Sequence, residues 1–488
     1  METQDFRGKN GRRDGVLNQD VLKLDISALS TKIRHREISP VEIVEQLLKR
    51  IERVNPAINA FITVTYEEAM DSAKKAESEI ANGKWRGPLH GVPIGLKDLI
   101  YTKGIRTTMG SKIYERFVPD FDATVVHKLK DAGAIIIGKL NTHEFAYGPT
   151  GDVSHFGPVR NPYDLNKMSG GSSSGSAAAV ASALCFGALG TDTGGSIRIP
   201  SSACGIVGMK PTFGRVSKHG VYPLGFTLDH VGPMTRTIRD NALLLNVLAG
   251  YDRQDSYSAQ RREEDFTRHI GESVRGKVIG VPSTFYFDSL SDEVRKRMEE
   301  ALTIFQRMGA ELETVDIPAL SHASWAQLKT LQSEAYAVHE EHIEQEAENF
   351  HPEVLERLVL SSEAKGYEYV KAQQIRQNIS ESLNKIFKRV DVLAAPTLPI
   401  LPPEIGQREI QVEKRKEQVR SALLRLTGPT SLTGLPSLSV PCGFSDTGLP
   451  IGLQLIGRSF DEAVLYQFGA AFEDAAGIFS LKWEIEEG

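Results

Sequence analysis

Two short segments gather small hydroxyl and glycine residues: Gly170-Gly171-Ser172-Ser173-Ser174-Gly175-Ser176 and Thr191-Asp192-Thr193-Gly194-Gly195-Ser196. Between them runs Ala177-Ala178-Ala179-Val180-Ala181, which reads as a packed helix. Glycine lets a backbone N–H come close to a ligand, and serine is a weak nucleophile that a nearby base can activate. A third segment, Gly91-Val92-Pro93-Ile94-Gly95-Leu96-Lys97-Asp98, sets a lysine among apolar and glycine residues. A solvated lysine stays protonated at neutral pH, whereas burial lowers its pKa and makes the amine a base. The combination points to a serine hydrolase whose base is lysine rather than histidine.

Each segment has a plainer reading. Gly194-Gly195-Ser196 forms a nest of N–H groups suited to an oxyanion, but the same tripeptide also makes a tight turn from strand to helix. The 170–176 cluster could be a linker, although the apolar run behind it argues against that. Gly171–Gly175 also matches the G-x-S-x-G elbow, which would make Ser173 the nucleophile. That motif needs a buried strand before it, and Asn161–Lys167 is polar and rich in turn formers. The third reading is a serine that relays protons between a base and Ser196. Lys97 lies in a stretch that reads as a buried strand, with ion pairing to Asp98 as the plainer alternative. His339-Glu340-Glu341-His342 is not H-E-x-x-H, because the second histidine comes three residues on. With Glu344, Glu346 and Glu348 nearby, it reads as a solvated helix face. No Walker A, Rossmann or EF-hand pattern occurs, so no metal and no cofactor is expected.

The elements that must position these groups alternate along the chain. Ser39-Pro40 with Glu42 is a capping box opening a helix that Asn55-Pro56 should stop. Helices are expected at 67–81, 123–132, 292–308 and 462–475. Strands are expected at 61–66, 134–137, 185–191, 277–281, 312–315, 392–395, 438–441 and 450–456. This alternation implies an α/β fold with a mixed central sheet sandwiched between layers of α-helices. Residues 318–390 read as a helical insertion and 396–411 as a proline-rich loop. Apolar residues at 40%, charged residues at 25% and a mixed net charge of −6 suit a soluble globular chain of 488 residues. Cys185, Cys204 and Cys442 lie far apart and read as reduced, buried thiols.

Taken together, these segments resemble the amidase signature family. The resemblance rests on Gly170–Ser196 continuing into Ile197-Arg198-Ile199-Pro200, and on the lysine motif Gly91–Asp98. Further support comes from Asn141–Phe145, Cys204–Thr212, Leu228–Pro233, Gly434-Leu435-Pro436 and Pro450–Gln454. It implies a Ser-Ser-Lys triad, with Ser196 the nucleophile, Lys97 the base and Ser172 a bridging serine on a cis peptide bond. It also implies an oxyanion hole from the backbone N–H groups of Thr193, Gly194, Gly195 and Ser196, supported by Ser173 and Thr191. A leader over residues 1–20 would precede one catalytic domain, 21–480, with 318–390 its helical substrate-side subregion.

The expected activity is that of a stand-alone amidase hydrolysing linear amide C–N bonds. It would convert a small or aryl carboxamide, and also esters or carbamates, to a carboxylate and ammonia or an amine through an acyl-enzyme. The alternative is the glutaminase subunit of the Glu-tRNA(Gln)/Asp-tRNA(Asn) amidotransferase. That subunit carries a Ser-Asn-Leu … Arg-Tyr-Asp-Gly … Arg-Tyr-Gly segment, which Leu331–Glu340 lacks. A non-catalytic interaction protein is the reading from another class, and the intact Lys97, Ser172 and Ser196 oppose it. The expected partner is a small-molecule amide, with no nucleic acid and no membrane, in a cytoplasmic chain whose family suggests a homodimer. Replacing Ser196 by Ala should lower amide turnover by about 10⁴-fold or more in a steady-state ammonia-release assay, with the fold retained. Ser173→Ala losing activity instead would favour the elbow reading.

Overall fold

The computed structural model describes residues 19–413, 415–478, 481, 482, 484 and 485. The leader expected at 1–20 therefore lies almost wholly outside the described residues. The strands, in chain order, begin with β1 (Phe61–Val64), β2 (Pro93–Lys97), β3 (Ile135–Leu140), β4 (Arg160–Asn161) and β5 (Asp164–Met168). They continue with β6 (Gly187–Asp192), β7 (Val207–Lys210), β8 (His230–Thr235), β9 (Val278–Pro282) and β10 (Glu311–Val315). The last are β11 (Val392–Pro396), β12 (Glu409–Val412), β13 (Arg415–Gln418), β14 (Ser437–Phe444) and β15 (Pro450–Ile456).

Eleven of these form one mixed sheet in the order β1-β3-β2-β6-β8-β7-β14-β15-β11-β9-β10. β3, β2 and β6 run parallel, β8, β7, β14 and β15 follow antiparallel, and β11, β9 and β10 are again parallel. Helices flank the sheet, which is the expected α/β arrangement. Helix Ser174–Ala181 packs on β2, β3 and β6, and helix Glu462–Ala476 on β14 and β15. Every residue of Ser174–Ala181 is buried. Its alanines let the helix axis approach the strands closely, which holds the serine loop before it against the sheet.

The expected hydrophobic patterning recovers the long elements and misses short or interrupted ones. The capping box at Ser39 and Glu42 is present, but the helix runs Pro40–Ile58, through Pro56, and ends at Asn59 with φ 55°. In the last turn Pro56 removes only one helical hydrogen bond, so the packing of Val54 and Ile58 prevails. β7 and β8 escape notice because glycine and proline interrupt them: β8 reads His-Val-Gly-Pro-Met-Thr, yet all six residues are buried. The expected loop at 396–411 ends in a hairpin, β12–β13. The segment after residue 318 is helical, with helices Ala323–Glu346, Pro352–Ser361 and Gly366–Ile386 between β10 and β11.

Among the described residues no helix is long and apolar enough to cross a membrane, and all three cysteines are buried and unbridged. Ser39 also donates to Glu77 Oε1 at 2.5 Å, tying its helix to helix Tyr66–Ala81. Ser39→Ala should therefore cost about 1–2 kcal/mol and lower the melting temperature by about 1–2 °C. kcat/KM should not change, and calorimetry with an activity assay checks both.

Candidate active site

Lys97 ends β2, and Thr191 lies at the end of β6, its parallel neighbour, with Leu96 and Leu189 in register. Two adjacent strands thus deliver an amine and a hydroxyl to the same edge of the sheet. Lys97 Nζ donates to Ser172 Oγ and to Thr191 Oγ1, each at 2.7 Å. Its side chain is fully buried, and this desolvation pulls the amine down to about 7 against the opposing pull of Asp192 and Asp229. Asp98, the alternative partner, is engaged elsewhere. Lys139 Nζ lies 3.4 Å from its Oδ1, and Thr108 donates to Oδ2 through its N–H at 2.8 Å and its hydroxyl at 2.5 Å.

Ser172 follows a cis peptide bond from Gly171. Its carbonyl accepts from Thr142 Oγ1 at 3.0 Å and from the His143 N–H at 3.2 Å. Glycine is required at 171, since a Cβ there would stand 2.8 Å from Gly151 N and 3.1 Å from Gly148 O. Ser173 Oγ donates to Thr191 O at 3.1 Å and accepts from Thr191 N at 3.2 Å. Both capacities of that hydroxyl are used in tying the serine loop to β6. The segment before it is the β4–β5 hairpin, outside the main sheet. Neither feature fits a nucleophile elbow at Ser173.

The 193–196 loop turns its carbonyls toward the protein. Thr193 O accepts from Gln327 Nε2 at 2.9 Å, and Gly194 O from Thr427 Oγ1 at 2.6 Å. Gly195 O accepts from Ile199 N at 2.7 Å, and Ser196 O from Ser173 N at 3.1 Å. Among the described residues no acceptor engages the N–H groups of Thr193, Gly194, Gly195 or Ser196. Four anchored carbonyls beside four unengaged donors form a site for developing negative charge. Gly195 has φ 142°, and a Cβ would meet Thr427 Oγ1 at 2.1 Å. Ser196 is 5% exposed at the end of this loop.

A buried ion pair closes the loop at its base. Arg198 Nε and Nη2 each stand 3.0 Å from the two carboxylate oxygens of Asp192. The guanidinium also donates to Thr430 Oγ1, Gln454 Oε1 and Ser431 Oγ, at 2.5, 2.7 and 2.8 Å. Burial alone would raise the Asp192 pKa, but Arg198 holds it well below the usual carboxylate range. Thr193 Oγ1 donates to Asp229 at 2.6 Å. Asp192, Arg198, Asp229, Gln327 and Thr427 were not singled out from the sequence. A signal existed for the first two, as opposite charges flanking a glycine turn six residues apart; Gln327 and Thr427 carry no local signal.

Two cavities, of ≈ 280 and ≈ 290 Å³, adjoin the loop. The first is lined by Thr191, Thr193 and Asp229, the second by Gly194, Gln327 and Arg420. Beside the second stands a cationic wall. Arg357 donates to Tyr147 O at 2.8 Å and Arg420 lies over the Tyr147 ring. Arg357 and Arg408 share Glu353, and Arg408 also pairs with Asp152. Among the described residues Arg420 has no carboxylate partner, so the group carries a surplus positive charge. The His339 segment differs from expectation: Glu340 and Glu341 are exposed, but His339 is fully buried against Phe145 and Phe350, its pKa pulled by burial to about 3. Among the described residues no cluster could hold a metal ion.

The Amidase family profile matches residues 42–466. The chain belongs to the amidase family. It is an enzyme of amide C–N bond hydrolysis. A glutamyl-tRNA(Gln) amidotransferase subunit from Geobacter sp. (strain M21) is 42% identical over 93% of this chain and 97% of its own length. The crystal structure of the corresponding Thermotoga maritima protein superposes with a TM-score of 0.81 at 34% identity, covering 97% of this chain and 100% of that one. A structure from work on a vestigial protein complex and the origins of an s-triazine catabolic enzyme gives a TM-score of 0.90 at 33% identity, covering 94% and 100%.

These relatives correct two expectations. A stand-alone amidase for small or aryl carboxamides rested on the departure at Leu331–Glu340, a few turns of one helix. Amidotransferase relatives at 40–42% identity along nearly the whole amidase chain outweigh it. The expectation of no nucleic-acid partner rested on a mixed net charge of −6. That average over the surface says nothing about a tRNA handled by a multi-subunit enzyme, and the relatives are subunits of one that acts on tRNA.

If Lys97 acts as the base, only its neutral form is active, so kcat/KM of this amidase should rise about tenfold per pH unit up to about pH 7 and level off above. Lys97→Met should abolish that limb along with most of the rate. Lys97→Arg should fail nearly as badly, because a guanidinium stays protonated. A pH–rate profile of Lys97→Arg that matches wild type would remove lysine from the mechanism.

Proposed function

We propose that this chain is the glutamine-hydrolysing subunit of a tRNA-dependent amidotransferase, working in the cytoplasm with partner subunits and an aminoacyl-tRNA. The observation that carries the reading is full-length likeness to a glutamyl-tRNA(Gln) amidotransferase subunit, 42% identical over 93% of the chain. The cationic wall supports it. A substrate carrying a carboxylate gains an ion pair with Arg420 beside the reacting loop, which a neutral amide does not. Residues 21–480 act as one catalytic domain, with 318–390 its substrate-side helical part.

In the reaction, Lys97 receives a proton through Ser172 as Ser196 Oγ attacks the carboxamide carbon of glutamine. The tetrahedral oxygen is held by the N–H groups of the 193–196 loop. The proton then returns through Ser172 to the leaving nitrogen, because an amide anion is too basic to depart unprotonated. Ammonia leaves and a γ-glutamyl ester remains on Ser196. Water attacks that ester, giving its proton to the same relay, and glutamate departs with Lys97 neutral again. The ammonia then displaces phosphate from the side-chain carboxyl of the glutamyl group on the tRNA, once a partner subunit has activated that carboxyl by phosphoryl transfer from a nucleoside triphosphate. Ser173 and Thr191 keep Ser172 and Lys97 in register.

Reconstitution tests the proposal. With its partner subunits, glutamyl-tRNA and a nucleoside triphosphate to activate the glutamyl carboxyl, the chain should release ammonia from glutamine and amidate glutamyl-tRNA. Arg420→Met should raise KM for glutamine about tenfold while leaving turnover of a neutral aliphatic amide little changed. A reconstituted complex inert toward glutamine, with rapid turnover of an uncharged amide, would overturn the reading.

A further inference from the structure

Gln327 sits on helix Ala323–Glu346, 7% exposed, with its side chain over the oxyanion loop. Its amide orientation is fixed by chemistry. Thr193 O can only accept, so the atom 2.9 Å away is the donor Nε2 and the other terminal atom is the carbonyl Oε1. Oε1 is buried and has no hydrogen-bond partner among the described residues. A buried carbonyl oxygen without a protein partner is costly, so an ordered water or a group of the ligand completes it. Gln327 lines the ≈ 290 Å³ cavity together with Gly194 and Arg420, and the buried Nε of Arg420 is likewise without a partner among the described residues. Both side chains line one cavity beside the same loop, and each carries a polar atom without a partner among the described residues. A ligand satisfying both carries an anionic oxygen and an N–H donor, as an α-amino acid does.

We propose that Gln327 is a positioning and specificity residue: Nε2 holds the oxyanion loop through Thr193 while Oε1 accepts from the α-ammonium of the substrate, whose carboxylate meets Arg420. One side chain thereby reads the substrate and steadies the groups that stabilise its oxyanion. The substrate half rests on the glutaminase reading; the loop half does not. The segment Leu331–Glu340 begins one helical turn beyond Gln327, so this contact is independent of it.

Two measurements on the full-length chain separate the halves. The first is the rate at which a fluorophosphonate labels Ser196, since the phosphonyl oxygen occupies the oxyanion site and needs no particular amide. The second, with partner subunits present, compares glutamine with glutaramate, which keeps the carboxylate and carboxamide but lacks the α-ammonium. Wild type should prefer glutamine in kcat/KM by about tenfold. Gln327→Met should slow labelling about tenfold and reduce the preference to within about twofold. Gln327→Glu, which retains an acceptor and loses the donor, should slow labelling but keep the preference. Normal labelling of Gln327→Met overturns the proposal, as does a wild-type chain that takes no label. So does slowed labelling with the glutamine preference intact, or a preference lost equally in Gln327→Glu. If labelling slows in Gln327→Met but the wild-type complex turns over neither amide, the glutaminase reading and the α-ammonium contact fail while the loop-positioning role stands.

Discussion

Lys97 holds its amine where water does not reach, at the end of a strand whose residues are all buried. Desolvation there outweighs two nearby carboxylates, and this imbalance governs what can surround the site. A carboxylate in direct contact would favour the charged amine and restore its proton. The nearest acid in sequence, Asp98, is accordingly occupied by Lys139 and Thr108, and Asp192 by Arg198. Two hydroxyls, from Ser172 and Thr191, satisfy the amine without fixing its charge. Hydroxyls both accept and donate, so they tolerate either protonation state, as a proton relay requires.

The 193–196 loop is organised by the same economy of charge. A buried ion pair adds little stability of its own unless its remaining hydrogen-bonding capacity is met. Thr430, Ser431 and Gln454 meet that of Arg198, so the Asp192–Arg198 pair works as a rigid crosspiece between β6 and helix Arg198–Ala203. The loop it spans then needs only its carbonyls anchored for its N–H groups to face one way. Those anchors come from remote parts of the chain: Gln327 from the helical insertion, Thr427 from the turn before helix Gly428–Thr433, and Ser173 from the serine loop.

The local logic of the site was legible in the sequence, and its long-range logic was not. Glycine and serine spacing pointed to the two loops, and an apolar flank around Lys97 pointed to burial, because both are properties of contiguous residues. The brace at Arg198 could be seen but not interpreted, since its partners lie more than 200 positions away. Strands β7 and β8 were missed because burial on both faces lets glycine and proline stand where alternation would announce a strand. His339 misled for the converse reason: acidic neighbours made a wet face of Glu340 and Glu341, while a helical turn carries the histidine ring inward against Phe145. Substrate and partners were inferred from one helical segment and from bulk charge, neither of which reports on an assembly.

The sheet order separates two kinds of inheritance. Lys97, Ser172 and the 193–196 loop hang from β2 and β6 and the turns beside them, inside the sheet, where a change on one strand disturbs both neighbours. The helices that carry Gln327 and Arg357 enter the chain between an edge strand, β10, and β11. Mutations in that excursion can be sampled with little disturbance of the strands that hold the amine dry. A change in that excursion alters what reaches the 193–196 loop while the groups on β2 and β6 stay in place.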